Sequence, residues 1–148
     1  METLKIVLVG DAHVGKTSFV KKLLGEEIPV VRTPTLGVEV VPIRQNGKLY
    51  NIWDCAGEER YSGLGDGYYI QAQGAIIMCD CINTESIAHI KKYESSLRKW
   101  GNFPIVIVLN KCELLNDNDR NILSKALPDV VFISCANGMN VNEVLKKF

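Results

Sequence analysis

The sequence predicts an α/β fold: a mostly parallel sheet of six strands with one antiparallel member and helices on both faces. Three observations predict it. Short, almost wholly apolar runs alternate with segments whose apolar residues recur at helical spacing, as in Gly74–Asp80 followed by Ile87, Ile90, Tyr93, Leu97 and Trp100. Asn46-Gly47 stands between two β-prone runs, Val38–Arg44 and Lys48–Trp53, and marks a hairpin that adds the antiparallel strand. The run Gly10-Asp11-Ala12-His13-Val14-Gly15-Lys16-Thr17 follows an apolar strand and opens a helix, the setting in which a glycine-rich loop cradles phosphate.

The elements follow in order. Leu4–Val9 is the first strand, and Phe19, Val20, Leu23 and Leu24 mark a short helix ended by Gly25. Glu26–Gly37, with Pro29, Thr33, Pro34 and Thr35, shows neither period and reads as a long loop, the kind that usually carries function. After the hairpin, Asp54–Gly67 holds Gly57, Gly63, Gly65 and Gly67 and reads as a second loop. The long helix after Asp80 ends at Gly101 and Pro104. Ile105–Leu109 is the next strand, Asp117–Leu127 a helix behind an Asn/Asp cap cluster, and Val130–Ile133 the last strand. Asn140 and Glu143 have the spacing of a capping box for a final helix with Val141, Val144, Leu145 and Phe148 on one face.

A chain of 148 residues that is 47% apolar is expected to form one domain, residues 1–148. Lys plus Arg and Asp plus Glu balance at 17 each, so no global charge favours nucleic acid or an anionic membrane. Cys55, Cys79, Cys81, Cys112 and Cys135 form no C-x-x-C pair and mostly lie in or beside apolar runs, which points to reduced core residues in an intracellular protein. His13 and His89 offer no metal spacing. No signal peptide, membrane span or lipid-anchor motif is expected.

The chemistry gathers at strand ends. In the glycine-rich run, successive N–H groups can turn inward on a phosphate with the helix dipole behind them. Asp11, Ala12, His13, Val14, Gly15, Lys16, Thr17 and Ser18 are the candidate phosphate-binding residues, with Lys16 a charge for the outer phosphates and the Thr17 hydroxyl a ligand for Mg²⁺. Asp54-Cys55-Ala56-Gly57, Asn110-Lys111-Cys112-Glu113 and Ser134-Cys135-Ala136 each follow a strand. In a parallel sheet all would meet the phosphate loop at the carboxyl rim.

With these motifs the chain resembles the small GTPases, a family of P-loop nucleoside triphosphatases, and within them the Ran proteins. The resemblance lies in Thr35-Leu36-Gly37-Val38-Glu39-Val40, Trp53-Asp54-Cys55-Ala56-Gly57 and Gly63-Leu64-Gly65-Asp66-Gly67-Tyr68-Tyr69-Ile70-Gln71-Ala72-Gln73, followed by Ala75-Ile76-Ile77-Met78. It is dense up to Asp80 and thinner beyond. It implies a guanine-nucleotide switch that binds GTP or GDP with Mg²⁺, hydrolyses GTP and acts in nucleocytoplasmic transport. Thr35 would bind Mg²⁺ and the γ-phosphate, Asp54 would bind Mg²⁺ through water, and the Gly57 N–H would meet the γ-phosphate, so that both loops are held only by triphosphate. Asn110, Lys111 and Glu113, with the backbone at Ser134, Cys135 and Ala136, would recognise the base; a carboxylate matches the N1–H and amino group of guanine, a pattern adenine lacks.

The resemblance also implies an exchange factor, a GTPase-activating protein and nuclear transport receptors as partners, a monomer, and a place in both nucleus and cytoplasm. Tyr61 would contribute to partner contacts, and so would Tyr68 and Tyr69 unless they pack in the core. The chain departs from the family at Glu113 for aspartate, Ala136 for lysine, Ile28 where an aromatic covers the base, Ala12 for a common glycine, and Glu58 for the glutamine that orients the attacking water. Lys16, Gly57 and Glu58 are the catalytic candidates. An ionised Glu58 accepts a hydrogen bond from water but cannot donate to the phosphoryl oxygens, so slow hydrolysis is expected. The alternative is a degenerate small GTPase that binds nucleotide, hydrolyses it poorly and serves as an interaction module.

Overall fold

The computed structural model describes residues 1–25, 31–33, 38–55 and 66–148. Its strands are β1 (Glu2–Val9), β2 (Val31–Thr33), β3 (Val38–Gln45), β4 (Lys48–Asp54), β5 (Gly74–Asp80), β6 (Ile105–Asn110) and β7 (Val131–Phe132). They form one sheet in the order β2-β3-β4-β1-β5-β6-β7. β1 pairs in parallel with β4 and β5, and β6 in parallel with β5 and β7, while β3 is antiparallel to both β2 and β4. All six expected strands are present, and β3 is the one that runs against the others.

The seventh strand corrects the reading of Glu26–Gly37 as loop throughout. Val31, Arg32 and Thr33 pair with Val40, Glu39 and Val38. Three residues ahead of Pro34 are too short for an alternating pattern to register, and their pairing needs the edge that β3 supplies.

The helices are α1 (Lys16–Leu24), α2 (Thr84–Ala88), α3 (Ile90–Arg98) and α4 (Asp117–Ala126). Alternate residues of β1 feed two cores, because strand side chains point to opposite faces. Ile6 and Leu8 pack with Phe19, Val20 and Leu23 of α1 and with Val141, Val144 and Leu145. Val7 and Val9 pack with Tyr68, Tyr69, and Ile90, Tyr93 and Leu97 of α3. The sheet is thus covered on both sides, as expected. Tyr68 and Tyr69 are 2% and 0% exposed, which settles them as core residues rather than as a surface for partners. All five cysteines are buried, and none is in a disulfide among the described residues. No helix among the described residues is long and apolar enough to cross a membrane.

Two helix expectations need correction. The helix after Asp80 is not continuous: it breaks at His89, which ends α2 and precedes α3, and it finishes at Arg98, leaving Trp100 outside it and partly exposed. Asn83 caps α2, its Oδ1 accepting from Glu85 N and Ser86 N, and Ser86 Oγ turns back to donate to the Asp80 carbonyl. The final α-helix is replaced by two 3₁₀ turns, Val141–Glu143 and Leu145–Lys147. Asn140 is left-handed at φ 59° and makes no side-chain cap; its Nδ2 donates instead to the Phe132 carbonyl. A residue in the left-handed region lacks the extended backbone that an N-cap and its capping box need. Val141, Val144 and Leu145 are nonetheless buried, so the apolar face was read correctly.

Candidate functional site

The carboxyl ends of β1, β4, β5, β6 and β7 gather the motifs on one rim. The phosphate loop joins β1 to α1, and both motif glycines are required by what lies against them. A Cβ on Gly10 would stand 2.3 Å from the Met78 carbonyl oxygen, and one on Gly15, at φ 105°, would stand 2.3 Å from Asn110 Nδ2. The first glycine lets the loop cross the end of β5. The second admits the Asn110 amide.

Asn110, 3% exposed, connects two parts of the rim. Its Nδ2 donates to the Val14 carbonyl at 3.0 Å and its Oδ1 accepts from Cys135 N at 3.0 Å. Lys111, left-handed at φ 70°, sends Nζ to the His13 carbonyl at 3.2 Å and to Asp80 Oδ2 at 2.7 Å. The polar groups of Asn110 and Lys111, assigned to the base from sequence, therefore brace the phosphate loop. Asp80 was missed as a site residue, although an acid ending an all-apolar strand was a visible signal.

Glu113 is exposed on the 3₁₀ turn Cys112–Leu114, and Ser134, Cys135 and Ala136 follow β7 on the neighbouring turn. Ser134 is buried; its Oγ accepts from Asn137 N at 3.2 Å, and its carbonyl accepts from Gly138 N at 2.7 Å, which shapes that turn. Burial pushes the Cys135 thiol up to about 11; Lys22 opposes the rise and Glu113 adds to it, so both charges lie near this sulfur. A cleft of about 460 Å³ is lined here by Ser18, Lys21, Lys22, Gly25 and Cys135. Ala136 is exposed and gives this wall a methyl group where the resemblance would put a cation.

Within the phosphate loop, Ala12 and His13 are exposed and Val14 is buried beneath them. Lys16 is 6% exposed, and its Nζ donates to the carbonyls of Gly10 and Asp11, the latter at 3.1 Å. The Asp11 carboxylate turns away from the loop interior: Oδ2 meets His89 Nδ1 at 2.6 Å and Oδ1 accepts from Tyr93 Oη at 2.8 Å. Sequence reasoning gave His89 no role, and residues 78 positions apart offered no signal for this pair.

Asp54 ends β4 and is 3% exposed. Burial raises its carboxyl to about 6; Lys16 and a hydrogen bond with Thr17 oppose the rise, and Glu39 adds to it. Its Oδ1 is the one buried side-chain oxygen or nitrogen among the described residues with no hydrogen-bond partner. A desolvated carboxylate oxygen beside a threonine hydroxyl and an ammonium suits a hard divalent cation, so Thr17 and Asp54 fit Mg²⁺. Thr35, Gly57, Glu58, Tyr61 and Ile28 lie outside the described residues.

A phosphate loop at the carboxyl edge of a parallel sheet, braced by an Asn-Lys pair and set beside a buried aspartate, defines a P-loop nucleotide-binding protein of the guanine-switch class. Residues 5–147 match the Ras family, and the chain belongs to it. It is a small GTP-binding switch. Members of this family bind GTP and GDP with Mg²⁺ and are served by exchange factors and GTPase-activating proteins.

Proposed function

We propose that this Ras-family chain is a Ran-like guanine-nucleotide switch, slow in hydrolysis, read by nuclear transport receptors and shared between nucleus and cytoplasm. The nucleotide part is supported above all by one observation: Asn110 joins Val14 of the phosphate loop to Cys135 of the turn after β7, so the phosphate and base halves are held as one unit. The Ran part is supported by the run from Asp66 to Gln73, Asp-Gly-Tyr-Tyr-Ile-Gln-Ala-Gln, and the Ala-Ile-Ile-Met that begins at Ala75.

In this reading the N–H groups from Ala12 to Ser18 bind the phosphates, and Lys16 exchanges its carbonyl partners for phosphate oxygens. Thr17, Thr35 and, through water, Asp54 would hold Mg²⁺, which would supply positive charge to offset that of the outer phosphates. Glu113, with the turn Ser134–Ala136, recognises guanine. Gly57 meets the γ-phosphate, and Glu58 accepts a hydrogen bond from the attacking water without donating to the phosphoryl oxygens.

Chromatography of the nucleotide released from purified protein, followed by single-turnover conversion of bound GTP, tests this. GTP or GDP with slow conversion is expected, and Glu58→Gln should speed the step by about tenfold. If GTP and ATP displace a fluorescent guanine nucleotide equally well, guanine preference fails. GTP intact after many hours, with and without an activating partner, would replace the enzyme by a nucleotide-bound interaction module.

A further inference from the structure

Asp11 stands second in the phosphate loop, and its side chain and main chain are held from opposite sides. Its carbonyl accepts from Lys16 Nζ at 3.1 Å. Its carboxylate, about one-fifth exposed, is held by His89 and Tyr93 at 2.6 and 2.8 Å, one donor to each oxygen. Both donors come from one stretch of chain. His89 is the residue at which α2 breaks from α3, and Tyr93 lies one turn on, its N–H donating to the His89 carbonyl at 3.2 Å. The break sets the imidazole and the phenol against the same carboxylate.

The rest of the loop is held from another direction, by Lys111 at the His13 carbonyl and Asn110 at the Val14 carbonyl. Ala12 lies between these two sets of anchors. Fixing the backbone on both sides of a turn whose N–H groups must converge on one ligand lowers the ordering cost at binding.

We propose that His89 and Tyr93 are positioning residues for nucleotide binding: through Asp11 they hold the first half of the phosphate loop in its phosphate-binding shape. The proposal rests on the guanine-nucleotide reading above. It concerns the phosphates alone, since neither residue lines the cleft beside Cys135.

The test compares release of fluorescent GDP, and affinities for GDP and GMP, in the wild-type chain and in variants. His89→Ala combined with Tyr93→Phe should release GDP about tenfold faster, as expected when a charge-assisted hydrogen bond and a phenolic one are lost together. GMP, which lacks the outer phosphate, should bind with unchanged affinity. His89→Asn should restore release to within about twofold of wild type, because an amide nitrogen bonded to Cγ takes the place of Nδ1. Should the double variant fail to fold, Tyr93→Phe alone, which keeps the buried ring, carries the test.

Release of GDP no faster than wild type would overturn the positioning role while leaving the guanine reading intact. An equal fall in GDP and GMP affinity, with no rescue by asparagine, would show a general structural role and overturn it too. A wild-type chain that binds neither nucleotide removes the guanine reading, and this proposal with it.

Discussion

Asn110 and Asp54 are both polar, both about 3% exposed, and both end a strand at the same rim, yet the fold treats them oppositely. Asn110 has a protein partner at each end of its amide, while Asp54 retains a buried oxygen with no partner among the described residues. A neutral amide that is fully bonded costs little to bury and adds rigidity. A carboxylate buried with an unused acceptor is costly, and its raised pKa expresses that cost. The difference separates what the protein completes by itself, the brace between phosphate loop and base turn, from what a cation would complete.

The largest expected effect breaks the completed side. In Gly15→Ala the new methyl would collide with the Asn110 amide and occupy a left-handed backbone. GDP affinity should fall on the order of a thousandfold, about 4 kcal/mol, in a fluorescence titration. Retention of wild-type affinity would mean that the brace is dispensable.

The other side should respond in the opposite sense. Because the folded pKa of Asp54 lies above its unfolded value of 3.8, the folded state holds the extra proton between about pH 4 and pH 6. Stability of the nucleotide-free protein therefore falls as pH rises through that window and stays lowered above it. Asp54→Asn should recover about 3 kcal/mol at pH 8 and nothing at pH 3, by denaturant unfolding without Mg²⁺. The same variant should lose the dependence of nucleotide retention on Mg²⁺. A destabilised variant at pH 8 would contradict the assignment of Asp54 as a strained carboxylate.

A smaller effect sharpens the comparison at the edge of the brace. Lys111 is about one-third exposed where it meets Asp80, so solvent weakens this pair. Lys111→Met should cost about 1 kcal/mol in stability while raising GDP release several-fold, since the His13 carbonyl also loses its donor. The smallest effect lies away from the site. Asn116 caps α4 through Asp119 N at 2.8 Å, and Asn116→Ala should cost about 1 kcal/mol in unfolding with GDP release unchanged.

Elements with a strong local period or a named turn were legible in the sequence. The apolar strands, the Asn46-Gly47 hairpin, the α1 face and the cap of α4 all depend on residues a few positions apart. Val31–Thr33 was not, being too short to show a period and formed only by pairing with β3. Asn140 and Glu143 had the right spacing for a cap, but Asn140 takes a left-handed backbone and its amide goes to the Phe132 carbonyl, neither of which local pattern can reveal. The long helix was read through His89, where the chain instead breaks and the ring reaches Asp11.

The same division runs through the site. By itself the sequence determined the phosphate loop, the four strand-end motifs and the family, because glycine spacing and residue type carry their chemistry locally. Only the tertiary structure decided that Gly10 and Gly15 are required by Met78 and Asn110, that Asn110 and Lys111 brace the loop, and that His89 and Tyr93 take the Asp11 carboxylate. These contacts join residues from 68 to 98 positions apart, Gly10 with Met78 at the nearest and His13 with Lys111 at the farthest, and strand order rather than sequence spacing brings them together.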